Sequence, residues 1–142
     1  MGFEDTFKRQ IDETGKVLIR LLTGLLGLKQ LEKYEDSVFL VKKTLTEKAF
    51  LDFDEIISMP PGQLAEYLSE KKKMNNHNID KIAEVFYEIG DAAGISGGDS
   101  AQKYFRISLA LHEYLNVADS TYSFERQNKI EELKEILEDG SG

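Results

Sequence analysis

The sequence predicts an all-α chain of antiparallel helical hairpins led by one long N-terminal helix. Two observations carry that expectation. Apolar residues recur at three- and four-residue steps across most of the 142 positions, which gathers them on one side of a helix. Segments in which Val, Ile and Thr alternate with polar residues are missing, and turn signals of the hairpin type are few.

The first helix should run from Phe3 to Leu26, with Phe7, Ile11, Leu18, Leu21, Leu22 and Leu25 on its apolar side and Gly24 and Gly27 weakening its end. Lys29 and Gln30 then make a short connection of the kind that joins antiparallel neighbours. A second helix, Leu31 to Lys48, lines up Tyr34, Val38, Val41 and Leu45. Between Phe50 and Lys73 the pattern breaks into two shorter helices, because Pro60 and Pro61 can begin a helix but not continue one. Asp52 to Ser58 contributes Phe53, Ile56 and Ile57, and Pro61 to Lys72 contributes Leu64, Tyr67 and Leu68. Lys71, Lys72 and Lys73 fall in the last turn, where each cation complements the helix dipole by roughly 0.3 to 1 kcal/mol.

A polar loop, Asn75-Asn76-His77-Asn78, precedes a helical hairpin. Asn78 is the expected N-cap of its first helix, Ile79 to Ala93. Gly94-Ile95-Ser96-Gly97-Gly98 supplies the reversal, and Asp99-x-x-Gln102 has capping-box spacing at the start of the second helix, Ser100 to Val117. Ile82, Phe86, Ile89 and Ala93 should face Ala101, Phe105, Ser108 and Leu109, with Phe86 and Phe105 as interior neighbours. Gly90 lets the two helices approach closely, at a propensity cost of about 1 kcal/mol relative to Ala. The last helix, Tyr122 to Glu138, has a narrow stripe of Ile130, Leu133 and Leu137 and reads as a solubilising cap. Asp139-Gly-Ser-Gly forms the tail. The whole of 1–142 is expected to be one domain, with 1–48 as a hairpin or arm, 49–139 as the main helical part and 140–142 as a mobile end.

Phe86-x-x-Ile89-Gly90-x-x-Ala93 followed by Ala101-x-x-x-Phe105 resembles one tetratricopeptide unit. Phe86 stands where that motif usually has Trp, and Ala93 where it has Tyr. With Tyr122-Ser123-Phe124-Glu125-Arg126 after the hairpin, the chain also resembles a bacterial family of small all-helical proteins of unknown function with tetratricopeptide-like C-terminal parts. The resemblance implies a right-handed helical array in which the first hairpin helix lines a groove. The residues that correspond to groove positions are Glu84, Tyr87 and Asp91.

The formal charge is −8, and it is uneven. Residues 1–48 hold nine Lys/Arg against eight Asp/Glu, whereas 49–142 hold nine against eighteen. Such a surface repels phosphate backbones and suits a basic peptide or protein, so nucleic acid is not expected as a partner. The chain has no cysteine, so disulfides and thiolate chemistry are excluded, in keeping with a cytoplasmic setting. The apolar run from Val17 to Leu28 is interrupted by Arg20 and Thr23, too short and too polar to span a bilayer.

No catalytic set stands out. His112-Glu113 lacks the second His four residues on that a zinc-protease helix needs. His77 lies in a polar loop, and both histidines are expected at the surface. Asp91 to Gln102 lacks the oxygen donors of a calcium loop, and no Glu-x-x-His pair supports a di-metal site. No metal or cofactor is therefore expected. The expected function is non-enzymatic binding of a protein or basic peptide at Glu84, Tyr87 and Asp91. The alternative is an assembly protein that dimerises through the broad apolar band of its first helix, at Leu18, Leu22 and Leu25.

Overall fold

The elements of the computed structural model, which describes residues 3–95, 100–119 and 123–140 and the side chains of 8–95, 100–119 and 123–138, are helical throughout. Helix α1 spans Phe3–Gln30, past the expected end at Leu26. Gly24 does not stop it, because that glycine faces α2 (Glu35–Lys48), where a methyl group would lie 3.1 Å from Leu40 Cδ2. The reversal falls instead at residues 31–34, with Glu32 at φ 57°.

The end of α2 is closed by Leu51 N donating to Leu45 O at 2.8 Å around Phe50, whose φ is 55°. Asp52 caps α3 (Phe53–Ser58) by accepting from the amides of Asp54 and Glu55 at 3.0 and 3.3 Å. Pro61 opens α4 (Pro61–Glu66), and the chain then widens into a π-helical turn, Tyr67–Lys71, where one longer α-helix was expected. That turn ends like α2, with Met74 N on Leu68 O at 3.0 Å and Lys73 at φ 55°.

Helix α5 is Asn76–Ile95. Its cap is Asn75, whose side-chain oxygen accepts from Asn78 N at 2.9 Å. Asn78, the expected cap, is buried within the first turns, and its side chain donates to Ile11 O of α1 at 3.0 Å. Helix α6 spans Ala101–Ala118 and α7 spans Phe124–Gly140. The expected Asp99 cap, residues 96–98 of the reversal, Tyr122 and the last two residues of the tail lie outside the described residues. Ser123 caps α7 by accepting from Arg126 N at 3.2 Å.

One continuous apolar core joins α1 to α6, so residues 1–48 pack on the hairpin and do not stand apart as an arm. Contacts fix the helix directions. Ile11 and Gly15 of α1 meet Asn78 of α5, while Lys29 at the far end of α1 meets Glu88 and Asp91, so α1 and α5 run parallel. Ser108 Oγ donates to Ala83 O at 2.8 Å, and Phe105 lies against Gly90, so α6 runs back along α5. Arg126 is near Asp80 and Glu132 near Tyr87, which makes α7 parallel to α5.

Phe86 and Phe105 are both buried, but they serve different sides of α5. Phe86 stacks on Phe53 at 6.1 Å and leans on Tyr104, inside the core. Phe105 covers Gly90, where a methyl group would come within 2.8 Å of its ring, and meets Tyr87 edge-on at 5.9 Å. The close approach at Gly90 is as expected, whereas the pairing of the two rings is not.

Leu18 and Leu25 are not interface residues. They are 0% and 2% exposed inside the chain's own core, and Leu22 packs partly against it. The apolar band of α1 is wide because this helix has two neighbours, α2 and α5, each needing its own stripe. Only Ile19 and Leu26 of the band are exposed as large apolar side chains. Among the described residues no helix is long and apolar enough to cross a membrane.

Candidate functional site: a charged seam between α5 and α7

Glu84, Tyr87 and Asp91 sit three and four residues apart on α5, so they share one side of that helix. All three are partly exposed, yet each already has a partner within the chain. Asp91 and Glu88 bind Lys29 of α1 at 3.2 and 3.9 Å. The Tyr87 hydroxyl donates to Glu132 Oε1 of α7 at 2.6 Å, and Lys129 Nζ lies 3.6 Å from the centre of the Tyr87 ring. Burial and the Glu132 hydrogen bond push the Tyr87 pKa up, so this group remains a donor. Glu84 turns to α6, where its Oε1 is 3.6 Å from His112 Nε2.

His112 is not at the surface. It is 1% exposed, at the floor of a cleft of about 400 Å³ that Asp80, Glu84, Ser123, Arg126 and Lys129 help to line. Its position follows from spacing. Phe105, Ser108 and His112 recur at three and four residues, so His112 lies on the side of α6 that packs against α5. Arg126 is placed in the same way, ahead of the buried Ile130 and Leu133 on the inward stripe of α7. Both signals are present in the sequence.

The imidazole lies between two carboxylates. Nδ1 is 3.9 Å from Asp80 Oδ1, opposite the Glu84 contact, and neither ring nitrogen has a hydrogen-bond partner. Burial lowers the His112 pKa to about 4, with Asp80 opposing, so the ring is neutral near pH 7. Burial likewise raises the pKa of Glu84, against the attraction of Lys129, and that of Glu88, against Lys29. Arg126 reaches Asp119 at 3.6 Å and Asp80 at 3.9 Å, yet its buried Nε is unbonded.

A neutral imidazole offers one donor and one acceptor, whereas a carboxylate only accepts. One His112 nitrogen can therefore donate to its carboxylate, while the other presents a lone pair to oxygen lone pairs. A group bearing several N–H donors, inserted from the open side of the cleft, would bond the partly exposed carboxylates that flank the ring. Unsatisfied buried polar atoms are uncommon in folded proteins, and His112 Nδ1, His112 Nε2 and Arg126 Nε lie together here. Among the described residues no three His, Asp or Glu side chains converge to hold a metal ion. The chain matches no family model, no curated protein and no solved structure.

Proposed function

We propose that the chain is a non-catalytic binding module that receives a lysine- or arginine-bearing protein segment along the outer side of α5. The carrying observation is the buried His112, neutral and unbonded between Asp80 and Glu84 at the floor of an open cleft. Lysine and arginine heads provide what that arrangement lacks, N–H donors and positive charge. The local balance supports the same chemistry, since Asp80, Glu84, Glu88, Asp91 and Glu132 outnumber Lys29, Arg126 and Lys129. In this reading the parallel helices α1, α5 and α7 form the inner layer of a right-handed tetratricopeptide-like array and α2 and α6 the outer one. Such arrays use the concave inner surface for recognition.

The test is capture from a randomised peptide library by the wild-type chain and by a Glu84→Lys, Asp91→Lys double variant. Enrichment of Lys/Arg-rich sequences by the wild type, lost in the variant, is expected. Equal recovery by both, or no enrichment of basic sequences, refutes the reading. A second reading, self-association along α1, is favoured by the half-exposed Ile19 and Leu26, at 52% and 50%. It predicts a dimer in light scattering that Ile19→Glu, Leu26→Glu breaks. A monomer indifferent to that change removes it.

A further inference from the structure

A second cleft, of about 520 Å³, opens where the N-terminal part of α1 meets the ends of α2 and of the π-helical turn. Among the described residues, Arg9, Lys48, Lys71, Lys72 and Lys73 line it, against one carboxylate, Glu13. That carboxylate is already 3.6 Å from Lys16. Among the described residues no carboxylate pairs with Arg9, Lys48, Lys71 or Lys73. A chain of net charge −8 thus gathers five cations around one opening.

Helix ends do not neutralise this group. The termini of α2 and of the π-helical turn contribute about −0.5 each and the start of α5 about +0.5. With Glu13 the offset is about −1.5, so among the described residues a charge of roughly +3.5 remains uncompensated. Lys72 is fixed, its Nζ donating to Phe50 O at 3.3 Å, which ties the two turns that wall the cleft. Both turns hold a non-glycine residue in the left-handed region, Phe50 and Lys73, each at φ 55°. Backbone in this region and π-helical turns recur at functional sites. The interior is apolar, with Leu51 and Met74 buried beneath it and the Phe50 ring 79% exposed at its edge.

We infer that this cleft binds a small phosphorylated molecule carrying an apolar or aromatic portion. Charge selects the phosphate, the Phe50 ring and the apolar floor take the rest, and the volume lies in the range of small-molecule sites. A long polyanion would meet the acidic remainder of the surface, but a ligand held inside the cleft feels chiefly the charges within a Debye length of about 10 Å. The inference does not rest on the α5–α7 seam. Asn78, which lines this cleft, and Asp80, which lines the other, are two residues apart on α5 and so point to nearly opposite sides.

The test is calorimetric titration of the full chain with pyrophosphate and with ADP at about 0.1 M salt, where that screening length holds. Saturable binding of both is expected, tighter for ADP. Lys48→Gln, Lys71→Gln, Lys73→Gln changes only exposed side chains and should weaken both at least about tenfold, the worth of one charge-assisted hydrogen bond. Phe50→Ala should weaken ADP alone, and thermal melts check that the variants fold. The inference is overturned if neither probe binds below about 1 mM, if the triple variant binds as the wild type does, or if Phe50→Ala leaves ADP no weaker. Binding of an Asp/Glu-rich peptide when neither small probe binds would also overturn it, assigning the cleft to a protein partner.

Discussion

The interior shared by α1 to α6 and the seam beneath α7 are built on different principles. In the first, apolar side chains from six helices enclose one another, and Phe86 is stacked among Phe53 and Tyr104 with no exposed surface. In the second, α7 buries Ile130 and Leu133 and otherwise rests on polar contacts such as Tyr87 with Glu132 and Lys129 over the Tyr87 ring. The first region supplies stability. The second holds the unsatisfied nitrogen atoms, and with fewer buried apolar side chains than the first it is expected to open first.

The largest expected effect is in the interior. Phe86→Ala should destabilise the fold by about 3–5 kcal/mol in urea unfolding. Next is Leu133→Ala on the seam side, about 2–5 kcal/mol, read as faster amide exchange along α7 with α1 to α5 still protected. If exchange accelerates equally everywhere, the two regions unfold as one and the contrast fails.

Acid sharpens the contrast further. The folded-state pKa of His112 is lowered to about 4 from 6.5, so on acidification the unfolded chain takes up the proton first. The stability of the neutral buried ring is complete above pH 6.5 and is lost as pH falls towards 4. Between pH 6.5 and 5 the loss is about 2 kcal/mol. The raised carboxylates Glu84 and Glu88 act in the opposite sense, gaining stability on acidification. His112→Leu should remove the loss, and urea midpoints at pH 7 and 5 for both proteins check it. A wild type and variant with the same pH dependence would deny His112 this role. The smallest effect is that of Tyr87→Phe, about 1 kcal/mol for the hydroxyl bond to Glu132, read as increased exchange in α7.

The parts of the fold legible in the sequence are those fixed by local periodicity. The hairpin, the packing role of Gly90 and the Asp52 to Ser58 helix follow from spacing and capping chemistry. Leu18 and Leu25 were expected at an interface because a stripe records how much apolar surface a helix must cover, not how many neighbours will cover it. Asn78 fits a cap by type and position, but the helix starts one turn earlier, where Asn75 accepts from the Asn78 amide, and the Asn78 side chain reaches Ile11 instead. Within the candidate site Glu84, Tyr87 and Asp91 are on one helical side as expected. Their separate engagement with His112, Glu132 and Lys29 depends on how three helices from distant parts of the chain come together.

The widened turn at Tyr67–Lys71 gives the cationic cleft an unusual tolerance of a change in chain length. Such a turn holds one residue more than α-helical geometry requires. Deleting Ser69 would let the backbone relax into an unbroken α-helix, and because the widened turn is what absorbs the extra residue, Lys71 to Lys73 would keep nearly the same angular place about the axis. A regular α-helix would pass the same loss on as a rotation of about 100°, carrying Lys71 to Lys73 away from Arg9 and Lys48, so the turn shields the charge cluster from the loss of one codon.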